Sequence, residues 1–74
     1  MLSITGTISQ IIQEFDGLVQ ITKSGTDWLE TRIRTDDPRK RIQVLVAMAK
    51  ELEKQYYRPV HVYSNHDHHM IVMK

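Results

Sequence analysis

Cysteine is absent from the 74 residues of this chain. That excludes disulfide staples and thiolate zinc centres, and it fits a reducing compartment. Glycine is scarce: Gly6, Gly17 and Gly25 stand alone, so no glycine-rich phosphate loop can be assembled from them. Long apolar runs are missing too. The longest, Val44-Leu45-Val46-Ala47-Met48-Ala49, falls far short of the ~20 residues that span a bilayer. The stretch from Met1 to Phe15 has neither a basic n-region nor a continuous apolar h-region, so no targeting segment is read and the cytoplasm is the default location. Charge of one sign is also lacking. A net charge of +1 argues against an acidic nucleic-acid mimic and against a strongly basic DNA-coating protein.

Seventy-four residues make a single domain, residues 1–74. A chain this short buries only ~60% of the surface that its unfolded state exposes, so its core supplies a few kcal/mol of net stability at most. Small domains commonly add a staple. Without cysteine, the remaining ones are a histidine-based metal, a partner subunit or good packing alone.

Ile8, Ile11, Ile12 and Phe15 recur at helical spacing and predict a short amphipathic helix, with Thr7 and Gln10 as a capping box. Leu2 and Ile4 permit a brief extended lead-in. Asp16-Gly17 ends this helix, with Gly17 suited to the left-handed position. Alternation over Leu18–Lys23 and Trp28–Thr35, around a Ser24–Asp27 turn, predicts a β-hairpin. Val19, Ile21, Leu29 and Ile33 then face the core, while Trp28, Glu30, Arg32 and Arg34 share the opposite face. Asp36-Asp37-Pro38 opens a second helix reaching Tyr56, about 28 Å long at 1.5 Å per residue. Its expected buried stripe is Ile42, Leu45, Val46, Ala49, Leu52 and Tyr56. After Arg58-Pro59, a second hairpin pairs Val60–Ser64 with His69–Lys74, with Val60 and Val62 in the core. Met70, Ile71, Val72 and Met73 are apolar on both faces, which places the last strand under two covering layers or at an interface. The expected fold is α+β, in the order helix-hairpin-helix-hairpin (αββαββ): a four-stranded antiparallel sheet packed on two helices.

Three groups of residues carry potential chemistry. All four histidines fall within nine positions, His61, His66, His68 and His69, with Asp67 among them. Imidazole and carboxylate both ligate zinc, and a hairpin could bring three such groups together, with a second chain completing the set. The alternatives are a solvated turn and adventitious metal binding. Arg39, Lys40 and Arg41 occupy the first turn of the second helix, where they oppose the helix dipole but beside free N–H groups could attract phosphate or carboxylate. Trp28 with Arg32 and Arg34 has the composition of a binding hot spot, and could equally stack on single-stranded bases. Catalysis finds little support: Asp36 and Asp37 are explained by capping, and Ser64 beside His66 is too local to signal a nucleophile–base pair.

In size, in its cysteine-free compact α/β make-up and in the face formed by Trp28, Arg32 and Arg34, the chain resembles small bacteriophage accessory proteins of the anti-CRISPR type. The resemblance is one of format and covers no shared motif. It implies stoichiometric inhibition of a Cas nuclease by blocking a surface, with the histidine cluster as a zinc staple. Near-neutral charge departs from the acidic DNA-mimic kind and favours protein–protein blockade. The leading expectation is an intracellular protein-binding module. The others are a nucleic-acid-binding or regulatory protein using Arg32, Arg34, Arg39, Lys40 and Arg41, and a metal-dependent hydrolase. A homodimer, formed by strand-edge pairing or a shared metal, is compatible with each.

Overall fold

The computed structural model describes residues 4–15, 17–66 and 68–73. Along the chain it forms α1 (Ile4–Thr7), α2 (Ser9–Glu14), β1 (Val19–Ser24), β2 (Trp28–Ile33), α3 (Pro38–Tyr56), β3 (Val60–Asn65) and β4 (His68–Met73). The strands make one antiparallel sheet in the order β1-β2-β4-β3. The class is therefore α+β.

The long helix forms over the expected residues for the expected reasons. Asp37 sits in extended conformation at the N-cap, and its Oδ1 accepts from the Arg39 backbone N–H at 3.0 Å, with Pro38 at the first helical position. At the other end Tyr57 adopts the left-handed conformation (φ 55°), and its N–H donates to the Glu53 carbonyl. The N-terminal segment departs from expectation. In place of one helix starting after a Thr7 cap, two short helical pieces meet at Ile8, with no side-chain cap on α2. Thr7 is used otherwise: its Oγ1 lies 3.2 Å from the Tyr56 hydroxyl, pinning α1 to the end of α3. Gly17 takes a positive φ of 77°, as its place after this segment requires. Leu2 and Asp16 fall outside the described residues.

All the helices lie on one side of the sheet. The buried core combines Ile4 and Ile8 from the N-terminal segment, Val19, Leu29 and Ile33 from the first hairpin, Val44, Met48 and Leu52 from α3, and Ile71 and Met73 from β4. The buried stripe of α3 is thus rotated from the expected one. Ile42 is 61% exposed and Val46 44% exposed, whereas Val44 and Met48 are fully buried. Residues 44–49 are apolar without a break, so hydrophobicity there is wider than one face and cannot choose which side turns inward. Val62, expected in the core, is 39% exposed because it sits on β3 at the sheet edge.

The first hairpin contains a close contact. A Cβ on Gly25 would overlap the Nε1, Cε2 and Cδ1 atoms of Trp28, so the indole rests directly on the Gly25 backbone. Gly25→Ala should therefore displace the ring and cost about 1–3 kcal/mol, the range for overpacking. Chemical denaturation with tryptophan fluorescence reads both the stability loss and the altered ring environment. An unchanged midpoint and spectrum would show that the contact is not maintained.

Candidate binding face

Every second residue of each strand points away from the helices, and the register shows which of them become neighbours. Three rows cross this uncovered side. Trp28, Val72 and His61 form the first; Lys23, Glu30, Met70 and Tyr63 the second; Gln20, Arg32, His68 and Asn65 the third. No helix packs on this side among the described residues. Trp28, Glu30, Met70 and Val72 are half-buried by their neighbours alone, and Tyr63 is 54% exposed. An open concavity of about 480 Å³ lies here, lined by Glu30, Tyr63, Asn65, His68 and Met70 among others. The Glu30 carboxylate is oriented locally: Thr22 Oγ1 donates to its Oε1 at 3.1 Å and to its backbone carbonyl at 3.2 Å. The face therefore mixes aromatic, thioether and aliphatic surface with cations and one tethered carboxylate.

Of the residues singled out in the sequence, Trp28, Arg32, His61 and His68 fall on this face. Arg34 follows the end of β2, exposed, with its N–H donating to the Leu18 carbonyl at 2.7 Å. The basic triplet at the start of α3 is largely spent on structure. Lys40 places its ammonium 5.5 Å from the centroid of the Phe15 ring, and Arg41 Nη2 donates to the Thr35 carbonyl at 2.7 Å. Arg39 alone of the three is exposed. Met70 and Val72 join this face from the last strand, which was expected under two covering layers or at an interface, and Tyr63 joins it from β3. The signal was present in β4, whose outward as well as inward positions are apolar.

The histidines are dispersed by the same alternation. His69 turns inward, 2% exposed, with Nδ1 2.7 Å from the Ser64 hydroxyl. It shares a buried row with Thr31, whose Oγ1 donates to the Gln20 carbonyl at 3.1 Å. His68 and His61 point to the opposite side, in rows separated by the Met70–Tyr63 pair, about 13 Å apart at ~3.3 Å per residue. His66 occupies the turn with a φ of 58°. Zinc needs three or four converging ligands, and among the described residues no group of three or more histidine or acidic side chains converges in that way. Asp67 lies outside the described residues. Ser64 does meet a histidine, but it is His69 across the hairpin, not His66.

Comparison with protein-family models, curated proteins and solved structures yields no match. Among the described residues no helix is long and apolar enough to cross a membrane. The functional reading therefore rests on the geometry of this chain.

Proposed function

We propose that this domain is a small intracellular protein-binding module whose contact surface is the uncovered sheet face around Trp28, Met70, Tyr63 and Arg32. The carrying observation is that a half-buried cluster of Trp28, Met70 and Val72, with the exposed Tyr63, lies on the face of a four-stranded sheet over which no helix packs among the described residues. Aromatic residues, methionine and arginine are the types enriched in the cores of protein interfaces. The fixed backbone keeps the ordering cost of binding low. The narrower reading, a stoichiometric inhibitor of a Cas nuclease, uses this same face. Its mixture of Lys23, Arg32 and Glu30 suits a protein surface better than a row of phosphates. Any zinc would draw on His66 or His68 near the turn with donors from a second chain, since His61 stands rows away from His68, and would leave His69 to the core.

Hot-spot residues cost about 2 kcal/mol or more when truncated, roughly 30-fold in affinity. Arg32→Ala and Met70→Ala should each weaken partner binding to that extent, as read by calorimetry against a partner captured with the full chain or against a purified Cas nuclease. Affinities within twofold of the parent for both variants would remove this face from the proposal. A second reading has a specific observation behind it, since Trp28 and Tyr63 beside Arg32 could stack successive bases of a single strand. Binding of that kind falls steeply with salt, so the salt slope of the parent complex separates the two.

A further inference from the structure

The two edges of the sheet are built differently. On β1 the register breaks between Ile21 and Lys23, and α1 packs against this strand. A bulge and a lysine are among the usual means by which a sheet edge is closed to further pairing. β3 has neither, although α3 packs against it. It pairs with β4 through six consecutive residues, Val60 to Asn65, without a register shift, and it contains no lysine, arginine, aspartate, glutamate, proline or glycine. From His61 onward every residue of the strand is exposed, Val62 and Tyr63 included.

The flank of α3 beside this edge is apolar as well. Ala47 and Glu51 share a concavity with Thr7, Gln10 and Ile11, which identifies the side of α3 that faces the N-terminal helices. At 100° per residue, Ile42, Leu45 and Ala49 lie on the other side, with Val46 next to them. The N-terminal segment covers β1 and β2, whereas α3 packs against β3, so this second flank runs above the open edge. Ile42 and Val46 are the exposed large aliphatics of α3.

We infer that β3 and the Ile42–Val46 flank of α3 form a two-fold interface with a second copy of this chain, joining two four-stranded sheets through antiparallel β3–β3 pairing. A strand that pairs with its own copy sets like residues near one another. That penalises a charged strand and leaves an uncharged one such as β3 without repulsion. The same two-fold axis brings the aliphatic flank of α3 against its copy. A cysteine-free chain of 74 residues gains from this pairing the buried surface that its length denies it. The interface shares β3, and with it Tyr63, with the uncovered face, but it does not depend on the binding role proposed for that face.

The test is sedimentation equilibrium of the full untagged chain from micromolar to near-millimolar concentration, with Val62→Lys and Arg32→Ala variants alongside. The parent chain should dimerise. Val62→Lys acts twice in a symmetric dimer, and two losses of at least tenfold weaken association by about 100-fold. Arg32→Ala should leave association unchanged while impairing partner binding. A parent chain that stays monomeric throughout would overturn the inference, as would a Val62→Lys variant that dimerises like the parent, or an Arg32→Ala variant that does not dimerise. If Val62→Lys does not fold, hydrogen exchange of the parent decides. Protection of the β3 amides that rises with concentration supports the interface, and protection independent of concentration refutes it.

Discussion

Leu29→Ala should leave the domain largely unfolded at room temperature. Leu29 is fully buried on β2, where it pairs with Ile71 on β4 and with Ser24 on β1, at the centre of the sheet's helix-facing side. Truncating a core leucine costs about 2–5 kcal/mol, combining lost transfer energy with the cavity left behind. A domain below about 80 residues rarely holds more than ~3–5 kcal/mol in total. The loss is therefore of the same size as the whole stability. Ile42→Ala is the matched comparison, because it too removes aliphatic bulk but from a side chain 61% exposed. Its effect on the isolated chain should stay within about 0.5 kcal/mol, as for most surface changes. Far-ultraviolet dichroism with urea titration, at a dilution where the chain is monomeric, reads both. A Leu29→Ala variant that melts cooperatively within a few degrees of the parent would contradict the assigned core.

The contrast between Leu29 and Ile42 also marks how far sequence reasoning reaches. Where polar and apolar residues alternate over a single strand, as around Leu29 and Ile33, the period of two leaves one choice of inner face, and the structure follows it. Capping chemistry is equally local: Asp37 and Pro38 start α3 at the expected residue. Ile42 and Val46 show the opposite case. With Val44, Leu45, Val46, Ala47, Met48 and Ala49 all apolar, the inward side of α3 is chosen by what it packs against, and that information lies in β4 and the N-terminal segment. The split at Ile8 is non-local as well. Thr7 is drawn to the Tyr56 hydroxyl, forty-nine positions away, and a local capping rule has no access to that contact.

The candidate site divides along the same line. Trp28 and Arg32 were legible as face partners because they share one strand four residues apart, an even spacing that puts both on one side. Met70, Val72 and Tyr63 join them only through the strand order β1-β2-β4-β3, in which β4 lies beside β2 and places the last strand in the centre of the sheet. The histidine cluster illustrates the reverse error of scale. Closeness in sequence suggested convergence, but consecutive strand residues point to opposite sides, and His68 and His69 are separated by the sheet itself.

His69→Ala should be the most destabilising substitution among the polar residues, and how it acts distinguishes a core histidine from a metal ligand. The imidazole fills a row with Ile21, Thr31 and Ser64 on the helix-facing side. Its removal leaves a cavity and breaks the bond to the Ser64 hydroxyl, so a loss of about 2–4 kcal/mol is expected, comparable with other buried truncations. Ser64→Ala is milder, at about 1 kcal/mol, because it removes one hydrogen bond at an exposed residue where water can substitute. The two effects should not add. Once the hydroxyl is gone, the imidazole has less to lose, so Ser64→Ala combined with His69→Ala should cost less than the two single changes summed. Chelation then discriminates. If His69 acts through packing and its bond to Ser64, a strong chelator leaves the parent's unfolding midpoint unchanged, and His69→Ala is equally damaging with and without it. If His69 were a ligand, stripping the metal would lower the parent to the level of the variant, since metal-binding energy is folding energy. An unfolding midpoint that falls on chelation in the parent, and not in His69→Ala, would therefore return this residue from the core to a metal centre.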